Sequence, residues 1–452
     1  MSSESSIQAG ARQIVEHCLG LRPGQQLVIL VDETTIDPAV AIANAAESAG
    51  VSQTVILVPI ASQRRIPRER DLTFPVQRAV REARAILTCV NARPDCLAFR
   101  DHILETQWTA HTKIGHMPGA SLDVLSLANV DLERLAADCR CVEIAMARGR
   151  RLEFTSYASG GAVHRLTADV GGWERLPVAS DGIISDGAWG NVPSGETYIA
   201  PMPGSGEGSI VVNGSVPGMV VSSQQETVLH FEWGRLTRME PADGPVARWL
   251  RDTQIERAKA AGDLNWSALA EIGVGLNPAV EHLTGNMLFD EKAAGTAHVA
   301  LGSNTFMGGT VNASIHCDIV VRAPTILIDD KPIVDRGRLA YVESDWHEHY
   351  SQVSLDESPL RSATQVARSG VQASRSGDGR LLRMLRPEPG RVSHCFVGNP
   401  ETARMAYALY TLLPDDGMGR PLGDLARRAK MDAGVARQLL HVLWQYDLVK
   451  VW

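Results

Sequence analysis

The chain has no C-x-x-C pair: its seven cysteines (Cys18, Cys89, Cys96, Cys139, Cys141, Cys317 and Cys395) are scattered and odd in number. That absence argues against a disulfide framework and against a thiolate zinc site, and suits a reducing compartment. An excess of basic charge is missing as well. With a formal net charge of −8, no overall positive field is available to hold nucleic acid or acidic lipid. There is no uncharged run of membrane-spanning length, and the opening MSSESSIQAGARQ lacks the basic and apolar regions of a signal peptide. HExxH, GxSxG and P-loop patterns are all wanting, as are internal repeats and low-complexity segments. GSGEGS (204–209) does not fit the G-x-G-x-x-G spacing and precedes no helix, so it reads as a hairpin turn. What is present is ordinary globular composition, 44% hydrophobic and 21% charged over 452 residues, with material for two or three domains. A soluble, cytoplasmic protein with neither nucleic-acid nor membrane partners is expected.

The first third alternates strand and helix patterns. QLVILVD (26–32), TVILVP (54–59) and AILTCV (85–90) read as buried strands, with helices at PAVAIANAAESAG (38–50) and PVQRAVREAR (75–84). A helix-prone stretch, 123–149, closes this α/β N-terminal domain, assigned to residues 1–152. From 153 to 338 glycine becomes frequent and short apolar runs alternate with turns (GSIVVNGSV, HVALG, ASIHCDIVV, TILID), the pattern of a β-rich, α+β domain with one helix at 244–262. Residues 339–376 are polar and weakly periodic and form a connector. The last segment, 377–452, has helical patterns at 401–413, 421–429 and 432–446 and a terminal LVKVW strand, a winged-helix-like order. Its third helix carries one arginine and an aspartate, which does not suit DNA.

Chemistry-bearing residues gather in the middle domain. ASIHCDIVV places His316 and Asp318 two apart in a β-prone run, so both side chains leave the same face while Cys317 leaves the other. Imidazole beside carboxylate is half of a metal site for zinc, iron(II), manganese or cobalt; a salt-bridged surface pair is the plainer reading of the spacing alone. Glu196 follows a Pro-Ser-Gly turn in NVPSGETYIAP, and Glu271 stands in the apolar run of LAEIGVGLNP. A carboxylate in such surroundings requires a partner, either a lysine or arginine or a shared cation. TGNMLFDEKAAGTAHVALGSN (284–304) adds the pair Asp290 and Glu291, and then His298, which by itself reads as a core histidine between glycine turns. WHEHY (346–350) offers His347 and His349, read as a solvated loop cluster.

The succession NVPSGE, EIGVGLNP, LFDEKAAGTAHVALG and HCD resembles metallo-aminopeptidases of the aminopeptidase T/aminopeptidase S type, from the start of the chain to about residue 338. That resemblance implies an α/β domain, a β-rich catalytic domain and a pair of divalent ions, with Glu196, Glu271, His298, His316 and Asp318 as metal ligands. It departs in two places: Thr305 stands where those enzymes have a tyrosine ligand, and Lys292 where they have asparagine. The bend GLNP, the turn NTFMGG (304–309) and the H-x-D strand also resemble the ring-opening 2,5-dihydroxypyridine dioxygenases, which use one iron(II), have a histidine at the position of Glu271 and lack counterparts of Glu196 and His298, so the ligand set here looks like that of the peptidases. The expectation is a metal-dependent hydrolase of peptide or amide bonds, in the setting of peptide natural-product biosynthesis. It would use one or two zinc, cobalt or manganese ions, with Glu291 as proton shuttle by position. The alternatives are a non-haem iron(II) dioxygenase and a degenerate peptidase serving as a peptide-binding scaffold. The C-terminal segment loosely resembles leader-peptide recognition elements, which implies a bound peptide; a small-molecule or peptide substrate and a homodimer complete the expected partners.

Overall fold

The structure is a computed structural model that describes residues 3–57, 74–90, 112–171, 177–340 (except 185, 187 and 308) and three short strands beyond. Residues Met1–Gly171 and Pro177–Tyr341 form one compact unit. It opens with α1 (Ser3–Gln13), β1 (Gln26–Val31), α2 (Ile36–Ser48), β2 (Ser52–Leu57), α3 (Phe74–Glu82), β3 (Ala85–Thr88) and β4 (Lys113–His116). Thus the strand and helix expectations in this region correspond to elements within a few residues. Apolar runs without alternation put β1 and β3 in the middle of a sheet, where Leu27, Ile29, Ile86 and Leu87 are fully buried. The single helix expected over 123–149 is broken in two, α4 (Leu122–Ser126) and α5 (Leu132–Arg148). The break has a local cause: Asp131 caps the second helix, its carboxylate accepting from the Arg134 amide at 3.0 Å.

The chain then runs through β5 (Arg151–Tyr157), β6 (Val163–Asp169), β7 (Val178–Ser180), β8 (Trp189–Asn191), β9 (Glu196–Ile199) and β10 (Glu207–Val212). It continues with β11 (Ser215–Val216), β12 (Met219–Val220), β13 (Thr227–Glu232) and β14 (Arg235–Glu240). After helical residues 245–260 come β15 (Leu269–Gly275), β16 (Thr296–Gly302), β17 (His316–Arg322), β18 (Thr325–Ile328), β19 (Lys331–Asp335) and β20 (Arg338–Leu339).

Three sheets result. A parallel sheet has the order β2-β1-β3-β4-β8, so the short strand 189–191 crosses the line drawn at residue 152 and completes the first sheet. Two antiparallel sheets follow, β14-β13-β10-β6-β5-β18-β19-β20 and β12-β11-β17-β16-β15-β9-β7. GSGEGS therefore does not join neighbouring strands of a hairpin: β9 lies in one antiparallel sheet and β10 in the other. In the seven-stranded sheet β15 and β16 are buried along their whole length, which explains why neither run alternates polar and apolar residues.

Gly172–Leu176 and Val342–Trp452 form a second unit. Its described part is an antiparallel sheet in which β21 (Gln365–Arg368) lies between β22 (Arg420–Pro421) and β23 (Val449–Val451). A strand thus stands inside the stretch expected to be a connector. The helices expected at 401–413 and 432–446, nearly all of that at 421–429, and the WHEHY cluster lie outside the described residues. Among the described residues no helix is long and apolar enough to cross a membrane.

Candidate metal centre

Four neighbouring strands of the seven-stranded sheet deliver the site, and their register decides who meets whom. Gly275 pairs with Glu196 across β15 and β9, Gly273 with His298 and Glu271 with Ala300 across β15 and β16, and Ala300 with Asp318 and Gly302 with His316 across β16 and β17. Side chains alternate along each strand, so Glu196, Glu271, His298, His316 and Asp318 all project from one face. Between them stand Gly273, Gly275, Ala300 and Gly302, which leave the space above the sheet to the functional groups.

Gly273 is the clearest case. A Cβ there would lie 2.2 Å from His298 Nε2 and 2.3 Å from Cε1, so the imidazole rests directly on the glycine backbone. Gly195 acts at the other edge, where its φ of +123° and its closeness to Asn277 admit no side chain. Asn277, in the GLNP bend, ties the surrounding loops together. Its Nδ2 donates to the carbonyls of Ser194 (2.7 Å) and Leu127 (3.1 Å), and its backbone N–H donates to the Lys292 carbonyl at 2.7 Å. Asn304 of NTFMGG likewise closes its own loop, accepting from the Val311 amide at 2.8 Å and donating to the Ala270 carbonyl at 3.1 Å.

All five expected ligands come together. His298 Nε2 lies 3.1 Å from Glu271 Oε1 and 3.8 Å from Glu196 Oε2. His316 Nε2 lies 3.3 Å from Glu271 Oε2 and 3.2 Å from Asp318 Oδ1, while its Nδ1 is 2.7 Å from the Ser303 carbonyl. The ring of His316 is thereby oriented so that Nδ1 carries the proton and Nε2 faces the carboxylates. Donor atoms of Glu271, His298 and Asp318 all lie within 4.8 Å of one another. Glu196, Glu271 and His298 are buried; His316 and Asp318, with side chains 23% and 15% exposed, form the open edge.

The two residues following Asp290 also belong to this cluster. Lys292 Nζ lies 2.9 Å from Glu196 Oε1 and is hydrogen-bonded to Glu291 Oε1. Asp290 points elsewhere: its carboxylate accepts from the amides of Thr284 (2.8 Å) and Gly285 (2.7 Å) and holds the loop before it. Thr305, at the position of the expected tyrosine, has its hydroxyl 3.3 Å from Ser303 Oγ. Among the described residues it makes no hydrogen bond to the carboxylates or imidazoles.

The electrostatics are those of four carboxylates packed with few cations. Burial alone would lower the pKa of His298, but the hydrogen bond to Glu271 and the charges of Glu271, Glu196 and Asp318 outweigh it and lift the imidazole to about 9. His316 is likewise raised well above the ordinary histidine value, burial being overcome by Asp318 and Glu271. Burial would raise both Glu271 and Asp318, yet their histidine neighbours hold each below the usual carboxylate range. Glu291 goes the other way: burial, opposed by Lys292 but assisted by Glu196 and Asp318, pushes its carboxyl up to about 8. Burial would strip Lys292 of its proton, and Glu196 and Glu291 reverse this and keep it charged.

This donor set fits a divalent metal. Glu271, His298, His316 and Asp318 supply two carboxylates and two imidazoles, hard and borderline donors suited to iron, zinc, cobalt or manganese. His298 Nδ1 is buried without a hydrogen-bond partner among the described residues, so the polar contacts of that ring are all made through Nε2, toward the other donors. A bound ion would take the place of any proton on the imidazole nitrogens that face the carboxylates. The sequence motifs did not reveal the need for Gly273, although the even spacing Glu271, Gly273, Gly275 on one strand face is the signal that carries it.

Residues 7–341 match the family described as NicX, 2,5-dihydroxypyridine 5,6-dioxygenase, and the chain belongs to that family. Its fold is similar to that of the 2,5-dihydroxypyridine dioxygenase from Pseudomonas putida KT2440, with a TM-score of 0.58 and 21% identity over 76% of this chain and 99% of that one. It is also similar to AmpT from Thermus thermophilus, with a TM-score of 0.50 and 18% identity over 75% of this chain and 99% of that one. None of the curated proteins matches it significantly. Both scaffolds suggested by the motifs are therefore structural kin, and the family is that of the dioxygenase, where the motifs had put the peptidase first.

Proposed function

We propose that this member of the family is a divalent-metal enzyme whose ion is held by Glu271, His298, His316 and Asp318, and that it is an iron(II) oxygenase opening a hydroxylated heteroaromatic ring. The observation that carries this reading is the convergence of His298, His316 and Asp318 on one sheet face in a chain whose residues 7–341 match a dioxygenase family. Two imidazoles and a carboxylate with open positions suit non-haem iron. Bound iron would supply the dioxygen chemistry that no side chain of the site offers.

The protein's own groups would bind and orient the substrate and move its protons. Substrate would enter past His316 and Asp318, the exposed edge of the cluster. Glu291, 13% exposed and with its carboxyl raised to about 8, would hold a proton for exchange with a ring hydroxyl or ring nitrogen. Lys292 would keep Glu196 neutralised, leaving the ion to the other carboxylates. The buried floor of the site, Glu271 and His298 over Gly273, keeps water from one side of the reacting groups.

Glu271 favours a second reading. Two carboxylates beside two imidazoles make a donor set equally suited to zinc, cobalt or manganese, and the chemistry would then be amide hydrolysis, with the ion supplying Lewis acidity. In that reading the substrate is a peptide, and the peptide partner expected for residues 377–452 belongs to it. Anaerobically iron-loaded protein, offered dihydroxypyridines with oxygen uptake recorded, tests the first reading. Uptake that disappears in His316→Ala supports it. Absence of uptake, together with release of amine from peptide amides by the zinc- or cobalt-loaded protein, transfers the assignment to hydrolysis.

A further inference from the structure

Lys292 is among the largest side chains to be wholly enclosed, with 1% of its residue surface exposed. Its Nζ stands between two carboxylates, 2.9 Å from Glu196 and hydrogen-bonded to Glu291. The backbone that carries it is pinned on both sides: the Lys292 carbonyl accepts from the Asn277 amide at 2.7 Å, and the Lys292 amide donates to the Phe289 carbonyl at 2.9 Å. Asn277 in turn donates to the Ser194 carbonyl at 2.7 Å, two residues before Glu196. The backbone segments that carry the ammonium and Glu196 are thus tied to the same anchor.

We propose that the Lys292 ammonium is a built-in cation that fills the place of a second divalent ion between Glu196 and Glu291, so that the centre takes one ion and Glu196 is not a ligand to it. This rests on reading Glu271, His298, His316 and Asp318 as the metal site. A metal ligated by a Glu196 oxygen would sit about 2.0–2.2 Å from it. The nearer oxygen is already in contact with Nζ, and an ion there would be forced against a positive charge that buried surroundings do not screen. On the other side, Glu271 and Asp318 have no lysine or arginine contact among the described residues, only the imidazoles of His298 and His316. One half of the cluster therefore offers its carboxylates and imidazoles to an ion, and the other already has a cation attached to the chain.

Metal content of the full chain, titrated anaerobically with Fe²⁺, Mn²⁺ and Zn²⁺ and read by elemental analysis, decides the matter. The wild type is expected to hold one ion per chain, Lys292→Arg one, and Lys292→Asn two. Two ions in the wild type overturn the role of Lys292 while leaving the metal site standing; no ion in the wild type overturns the metal site and this proposal with it. One ion in a folded Lys292→Asn also overturns it. Should that variant fail to fold, the charge-balanced double variant Glu196→Gln/Lys292→Met is expected to keep one ion with affinity within about threefold of wild type. Loss of the ion from the double variant makes Glu196 a ligand and refutes the proposal.

Discussion

Two halves of one cluster, drawn from the same sheet face, differ in how their negative charge is balanced. Glu196 and Glu291 close on Lys292, a cation fixed by the fold. Glu271 and Asp318 close on His298 and His316, whose charge depends on a proton. A buried carboxylate needs a positive partner in either case. The first half is complete when the chain folds, whereas the second is completed by whatever competes best for the imidazole nitrogens. That difference separates a structural ion pair from a binding site within a few ångströms.

The largest effect is expected from attacking the second half. Glu271→Ala or His316→Ala removes a donor and leaves its neighbours unbalanced, and metal affinity should fall by more than the roughly 10–100-fold typical of altering an outer partner of a ligand. Turnover should vanish with it. Isothermal titration with Mn²⁺ or Zn²⁺ checks the affinity, and retained affinity would dissolve the distinction between the halves.

Lys292→Met attacks the first half. It leaves Glu196 buried without its cation, and the metal-free variant should lose about 3–5 kcal/mol of stability in urea unfolding. Glu271→Ala should cost the metal-free protein less, since the histidines it leaves behind can discharge. A smaller change, Gly273→Ala, tests the floor they share. The added Cβ would meet His298 at 2.2 Å, so the ring must shift, at a cost of about 1–3 kcal/mol and with weakened metal binding.

The response to pH should also separate the halves. Against burial, its carboxylate neighbours raise His298 to about 9, and burial raises Glu291 to about 8, each above its ordinary value. A folded pKa above the unfolded one gives stability at low pH that is lost as pH rises through the folded value. The melting temperature of metal-free protein should therefore decline between about pH 5 and 9, most steeply above about pH 6.5 where both groups contribute. Metal binding releases the imidazole protons, so affinity should grow over the same range, by on the order of tenfold per unit for each proton displaced. The gap between the loaded and metal-free melting temperatures should widen as pH rises.

Much of this was legible in the sequence. Apolar runs at 26–32, 269–275 and 316–322 became strands, and the two-residue spacing of His316 and Asp318 was enough to place both on one face. Glu271 stands out as a carboxylate in an apolar run and Glu196 as one after a Pro-Ser-Gly turn, whereas His298 alone reads as a core histidine and only the order of the motifs marks it as a ligand. What could not be read was cross-strand register. The pairing of Gly273 with His298 and the reach of Lys292 to Glu196 join residues far apart in the chain, and local pattern carries no record of them. Asp290 and Glu291 show the same limit: adjacent carboxylates look equivalent, yet one holds a loop and the other enters the site. The split of residues 123–149 was missed because the cap at Asp131 lies inside a continuous helical pattern.

The most direct test is to locate the ion. Anomalous scattering from crystals of the chain loaded with Mn²⁺ or Fe²⁺ should show one peak per chain among Glu271, His298, His316 and Asp318. The space between Glu196 and Glu291 should hold only the Lys292 ammonium. A peak at Glu196 and Glu291, or no peak on this face of the sheet, would contradict the account.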